Sequence, residues 1–366
     1  MSLLTSPLHE RHEELGAKFA EFGGWSMPLE YAGGGVLAEH QAVREGVGVF
    51  DVSHLGKVTV RGAGAAEFIN RCFTNDLAKI PVGKAQYTLA CAEDGGTIDD
   101  LIAYLKADDD VFLIPNAANT PAVVALLQAK APAGIEIIDQ HRDFAVIAVQ
   151  GTKSDEVLEA LGLATDHEYM SFVSEQLGGA EITVCRTGYT GERGYELVVK
   201  SEDALAVWDR VMAAGEVWGV RVCGLGARDT LRTEMGYPLH GNDLSPEISP
   251  VMARAGWAVG WNKPEFWGRE ALIAQKEAKT SRLLRGIKAT GRGIPRHDMT
   301  VVSTTGQAVG VVTSGTFSPT LREGIGLALL DRSVAVGDVV NVEVRGKLLE
   351  FDVVAPPFVQ PSTKES

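Results

Sequence analysis

Between residues 86 and 115 the chain reads as three apolar runs separated by turns, and the middle run carries two adjacent aspartates. Q-Y-T-L-A-C comes first, with E-D-G-G as its turn. T-I-D-D-L-I-A-Y-L follows, K-A-D-D-D turns again, and V-F-L-I-P closes the set. Gly95-Gly96 between two apolar runs is a hairpin signal, so a β-meander is expected. Side chains alternate along a strand. Asp100 therefore shares a face with Ile98 and Ile102, and Asp99 shares the other with Leu101 and Ala103. One aspartate must lie on the more buried face. A carboxylate there is costly unless it is paired, hydrogen-bonded or functional. Two explanations stand level on this pattern: a turn-proximal Asp bonded to backbone amides, and a functional carboxylate.

Around this meander the pattern is mixed. Helical spacing is expected over His9 to Phe22, Leu37 to Gly46, Ala63 to Cys72, Ser154 to Leu161, Ala204 to Ala213 and residues 225 to 236, the last ended by Gly236. Thr120 is the expected N-cap of a further helix, with Pro121 at its first position. G-G-W-S-M-P-L-E-Y, residues 23 to 31, reads as irregular. Strands are expected at Lys57 to Val60, Phe144 to Gly151 and as a pair within 180 to 199. Composition shifts at Q-K-E-A-K-T-S-R, residues 275 to 282, the expected domain boundary. Beyond it short strands alternate with Gly turns, as in a small barrel. The tail P-S-T-K-E-S is expected to be mobile.

The formal net charge of −14 disfavours nucleic acid or an anionic membrane as main partner. No run approaches the ~18 apolar residues of a membrane span. The first fifteen residues have no apolar core of signal-peptide length and are too acidic for a transit peptide. A cytoplasmic protein is expected. Four cysteines without C-x-x-C spacing read as isolated buried thiols. The eight histidines form no recognisable metal cluster, and His9 and His12 read as surface residues. G-x-S-x-G is absent, and Ser53-His54 has no identifiable partner acid.

Two other stretches could carry chemistry. In R-T-G-Y-T-G-E-R-G-Y-E-L, residues 186 to 197, no P-loop is present. Glu196 shares a strand face with Val198, opposite Tyr195, Leu197 and Val199. Such a carboxylate either sits in solvent or accepts two N–H bonds from an amino-bearing heterocycle. In the 225 to 236 helix, Arg228, Leu231 and Met235 fall at i, i+3 and i+7, so Arg228 lies on the apolar stripe. It snorkels, caps a neighbouring loop, or binds an anion. Tyr237, just past Gly236, could stack on a planar ligand.

Eight motifs occur in order: G-G-W-S-M-P-L-E-Y, F-D-V-S-H-L, D-G-G-T-I-D-D-L-I, N-A-A-N, R-T-G-Y-T-G-E-R-G-Y-E-L, G-L-G-A-R-D-T-L-R-T-E-M-G, G-N-D and T-S-G-T-F-S-P-T-L. Each alone is weak. Together, from about Pro7 to Phe358, they closely resemble the glycine cleavage T-protein family of aminomethyltransferases. The resemblance implies an α+β fold: a three-domain cloverleaf with an all-β C-terminal barrel. Residues 1–275 would form two intertwined α/β subdomains and residues 283–360 the barrel. It implies transfer of a methylene from the lipoyl arm of H-protein to tetrahydrofolate, with release of ammonia and formation of 5,10-methylenetetrahydrofolate. It implies no metal. Asp100 matches the family's catalytic aspartate, near folate N10 and a developing iminium. Glu196 matches the glutamate that reads the pterin. Tyr87, Tyr189, Tyr237 and Asn116 match positions lining the folate channel, and Arg228 an arginine of the folate site. Asp99 is left with a structural role, a backbone or cation partner. Leu55 replaces the family's usual Met, a near-isosteric change. The tail lacks the Arg or Tyr that many members place near folate. Flavin-linked demethylases of methylated glycines share the fold, but this chain has no dinucleotide fingerprint. Relatives that assist iron–sulfur assembly carry K-G-C-Y-x-G-Q-E, and here the loop has no Cys. A non-catalytic folate-binding scaffold would not need Asp100.

Overall fold

The computed structural model describes residues 2–360; the tail expected to be mobile, residues 361–366, lies outside the described residues. The described strands form a three-stranded, a five-stranded and a six-stranded sheet and one closed six-stranded barrel.

The small sheet corrects the expected long N-terminal helix. The helix spans only His9–Glu14, and Ala17–Phe22 is a strand. It pairs antiparallel with Trp25–Tyr31, which was expected to be irregular and is the central strand. Pro28 is tolerated there because the register shifts between Lys18 and Phe19; a bulge frees Pro from the need to donate to the ladder. His12 is fully buried rather than at the surface. Its Nε2 lies 2.9 Å from Asp51 Oδ2 and its Nδ1 2.9 Å from the Tyr31 hydroxyl. Asp51 also accepts from Ser6 Oγ and from the Ser53 backbone N–H. The Ser53 hydroxyl accepts from the Val146 N–H, so Ser53 is part of the scaffold.

In the five-stranded sheet, Ala85–Cys91, Thr97–Ala107 and Asp110–Ile114 form the expected meander, followed by Val58–Arg61 and Glu136–Asp139. Helices Ala65–Cys72 and Thr120–Lys130 cover one face, burying Leu101, Ala103, Phe68 and Leu127. The second helix starts one position earlier than expected: Asn119 is its cap residue and Thr120 its first residue. Thr120 donates through Oγ1 to the Asn116 carbonyl at 2.9 Å, drawing the chain into the turn that carries Asn116.

The six-stranded sheet has Gly194–Lys200 and Phe144–Gln150 at its centre. Tyr195, Leu197 and Val199 pack on one side with Trp208 and Val211 of helix Ala204–Gly215. On the other side Val198, Val146 and Ala148 meet Tyr104 and Ile114 of the five-stranded sheet. Each such fully buried large apolar side chain contributes about 1.5–3 kcal/mol.

The chain after helix Arg269–Ala278 closes into the expected barrel, Arg282–Ala289 through Lys347–Val354, with Ile287, Val301, Val342 and Phe351 inside. Helix Leu225–Glu234 ties it to the rest. Arg232 donates to Ser314 Oγ at 3.0 Å and to Asp243 Oδ2 at 3.0 Å. Glu234 accepts from Ser318 and Thr320 of the barrel and from Arg44, whose Nη2 is 2.7 Å away.

Candidate active site

Where the two larger sheets meet, a cavity of about 530 Å³ opens, well within the range of small-molecule sites. All seven sequence-derived candidates line it: Tyr87, Asp100, Asn116, Tyr189, Glu196, Arg228 and Tyr237. They come from three sources. Tyr87, Asp100 and Asn116 belong to the meander and the turn after it. Glu196 lies on the central strand of the six-stranded sheet, with Tyr189 in the loop before it. Arg228 and Tyr237 come from the helix against the barrel and its C-terminal turn.

Alternation places the aspartates as the pattern required. Asp99 is fully buried on the helix-covered face, while Asp100 is half-buried and faces the cavity. One neighbour differs. Ala90 pairs with Asp99 and Cys91 with Thr97, so Ile98 sits in a bulge and packs on the opposite cluster. Ile102 lines the cavity beside Asp100, and Ile98 does not. The turn that delivers this strand needs its glycines. Gly95 has φ +88°, and a Cβ on Gly96 would meet the Pro246 carbonyl oxygen at 2.0 Å.

Tyr87 pairs with Ile102 across the strands, so Asp100 is its diagonal neighbour. Its hydroxyl donates to Asp100 Oδ2 at 2.9 Å. Asn116 Nδ2 lies 2.9 Å from Asp100 Oδ1. Burial raises the Asp100 carboxyl above the usual carboxylate range, against the pull of nearby His240 and the Tyr87 and Asn116 donors. Burial, then the charge of Asp100, raises Tyr87 well above its ordinary value, which keeps it a donor.

Glu196 is buried and accepts from Thr187 Oγ1. Arg228 neither snorkels nor caps a loop: its guanidinium carbon lies 4.6 Å from the Tyr189 ring centroid. Tyr189 stacks in turn on Tyr237, centroids 5.8 Å apart and planes at 30°. Among the described residues no carboxylate comes within ion-pair distance of Arg228. It is a cation facing a cavity. Tyr237 is aimed there by the helix end. Gly236, at φ +68°, donates to the Thr233 carbonyl and Tyr237 to the Arg232 carbonyl, the paired bonds of a Schellman stop.

Sequence reasoning did not single out Trp257, His240 or Thr187 among the lining residues. Trp257, 72 % exposed, stacks on Tyr87 with centroids 5.2 Å apart and planes at 23°. His240 and Thr187 also line the cavity. The signal available for Trp257 was a large aromatic in a glycine-bounded loop; for His240 it was the L-H-G-N-D stretch directly after Tyr237. The four cysteines are buried free thiols. Among the described residues no His/Cys/Asp/Glu group is arranged to hold a metal, and no helix is long and apolar enough to cross a membrane.

Comparison with known proteins adds independent findings. The GCVT N-terminal domain model matches residues 8–263 and the glycine cleavage T-protein C-terminal barrel domain model residues 282–360. The chain is 63% identical over 361 residues to an aminomethyltransferase of Frankia alni, covering 99% of each. It is 57% identical over 364 residues to one of Mycobacterium tuberculosis, covering 99% of this chain and 98% of that one. The crystal structure of glycine cleavage system aminomethyltransferase T from Bartonella henselae superposes with a TM-score of 0.92 at 34% identity, covering 98% of this chain and 99% of that one. On the α+β architecture, the closed barrel and these matches over its length, the chain belongs to the glycine cleavage T-protein family of aminomethyltransferases.

Proposed function

We propose that the cavity is the tetrahydrofolate site of this aminomethyltransferase and that Asp100 is its catalytic carboxylate. The donor is the aminomethyl group on the lipoyl arm of H-protein, the products are ammonia and 5,10-methylenetetrahydrofolate, and the reaction runs in the cytoplasm. Residues 1–275 form the folate-binding region and residues 283–360 the barrel that buttresses it. The observation that carries this reading is the convergence of Asp100 and Glu196, from two different sheets, with Arg228 on one cavity.

The donor set fits a folate. A carboxylate only accepts, so Glu196 suits the paired N–H groups of a pterin. Arg228 supplies a half-buried cation without a carboxylate partner within ion-pair distance, ready for an acceptor or anionic group of the ligand. Tyr189, Tyr237 and Tyr87 offer flat apolar walls for the ring systems. Tetrahydrofolate, when bound, supplies the nitrogens that accept the methylene. Asp100 then stabilises positive charge developing at the reacting carbon. With its carboxyl raised toward neutrality by burial, it also takes up or returns a proton at Oδ1 or Oδ2. Asn116 and Tyr87 fix which way those oxygens point.

Calorimetric titration with tetrahydrofolate tests the site. Saturable binding by the native chain, weakened in Glu196→Gln, is expected; equal affinity in both proteins removes the pterin assignment.

A further inference from the structure

Behind Asp100 lies a chain of hydrogen bonds whose polarity is forced from both ends. At one end the Thr97 carbonyl, which can only accept, is 3.0 Å from His240 Nε2. Nε2 therefore carries a proton. At the other end Asp99 is surrounded by donors. Its Oδ1 accepts from Asn116 Nδ2 at 2.8 Å and from Asn119 Nδ2 at 2.7 Å, and its Oδ2 from the Asn116 backbone N–H at 3.0 Å. Burial, then the charge of Asp100, raises the Asp99 carboxyl to about 8; with Asp99 ionised, the Asn119 amide cannot be turned over, because its oxygen would then face a carboxylate. Asn119 Nδ2 is also 2.9 Å from His240 Nδ1, so Nδ1 must be the acceptor. The requirement from Thr97 and the requirement from Asp99 select the same imidazole tautomer. In such pairs the bond made by one ring nitrogen sets the state of the other.

The chain ends on the reacting group. Asn116 Nδ2, held by Asp99, also reaches Asp100 Oδ1 at 2.9 Å and the Asp100 carbonyl at 2.9 Å. Asn116 and His240 line the cavity, whereas Asp99 and Asn119 stand outside its lining. Asp99 and Asn119 therefore reach bound substrate only through the groups they hold.

We propose that Asp99 and Asn119 are positioning residues for Asp100, acting through Asn116, with His240 anchoring Asn119 to the Thr97 carbonyl. This rests on the assignment of Asp100 as the catalytic carboxylate. Fully satisfied polar networks fix a single geometry, and one missing member loosens the rest. Small misplacements of a catalytic group cost disproportionately in rate.

The test uses the full-length chain. Asn119→Ala removes the shared donor without touching the cavity wall. The expected result is a kcat for ammonia release lowered about tenfold or more, with the KM for tetrahydrofolate within about twofold. A kcat for Asn119→Ala within twofold of native, or a loss confined to KM, would overturn the proposal. A second measurement stands apart from turnover and from variant folding. Nitrogen NMR of the native chain labelled at histidine, with the His240 signal assigned by its absence in His240→Gln, reads the tautomer. Protonated Nε2 with bare Nδ1 is expected; a proton on Nδ1 would overturn the chain of bonds. If the native chain releases no ammonia, the reaction assignment fails, while the tautomer still decides the chain of bonds behind Asp100.

Discussion

Asp99 and Asp100 point to opposite faces of one strand, yet a single nitrogen, Asn116 Nδ2, lies within 2.8 Å of Asp99 Oδ1 and 2.9 Å of Asp100 Oδ1. Alternation suggested that the two carboxylates have separate work. The turn after Asp110–Ile114 reconnects them: its backbone N–H and side chain both bond Asp99, and the same side chain curls over to Asp100.

Removing the charge at Asp100 while keeping its shape isolates its chemical role. Asp100→Asn should lower kcat roughly 100- to 10,000-fold, the usual range for a positioned acid–base group. Tetrahydrofolate affinity should stay within a few-fold, as calorimetry would show.

At Glu196 the opposite split is expected. Replacing a charged acceptor with a neutral amide in Glu196→Gln forfeits about 1.5–3 kcal/mol. That corresponds to roughly 10- to 100-fold weaker tetrahydrofolate binding. The effect should appear in KM and Kd together.

Glu234 makes the docking of the barrel sensitive to acid. Burial pushes its carboxyl up, but the His40 hydrogen bond and charge, the Arg44 charge and the Ser318 hydroxyl outweigh burial and hold it at about 2. Its folded value lies below its unfolded one, so its stabilisation is complete above the unfolded value of 4.5 and is lost as pH falls toward 2. The shift corresponds to about 3 kcal/mol. Glu234→Gln should lose about that much stability at pH 7 and flatten the acid limb between those pH values, as followed by denaturant unfolding.

Gly96→Ala tests the close approach behind the meander. With the Pro246 oxygen 2.0 Å from the new Cβ, backbone must move, at a cost of about 1–3 kcal/mol. Denaturant midpoints should fall accordingly, and kcat with them, because Thr97 donates to the Ser245 carbonyl next to that contact.

The legible parts of the sequence were those governed by local period. Two-residue alternation and the E-D-G-G turn marked the meander, short strands with Gly turns marked the barrel, and Gly236 marked the helix end. Arg228 on an apolar stripe was visible as an anomaly, but its ring partner Tyr189, in a distant loop, was not. The N-terminus misled because Leu15, Phe19 and Phe22 fit a helical period, although Gly23-Gly24 offered a hairpin turn. Tertiary pairing with Trp25–Tyr31 overrode that period. His12 was hidden for the same reason: its acid, Asp51, lies 39 positions away. The bulge at Ile98 depends on the partner strand and leaves no local trace. Which aspartate faces the cavity was decided by family resemblance, since alternation separates the two without ranking them.

The most direct test of the central claim is ammonia release from aminomethylated H-protein, measured with and without tetrahydrofolate. Rapid, tetrahydrofolate-dependent release by the native chain, with methylenetetrahydrofolate formed in equal amount and both lost in Asp100→Asn, is the predicted result. No ammonia from competent H-protein, or native-level turnover in Asp100→Asn, would contradict it.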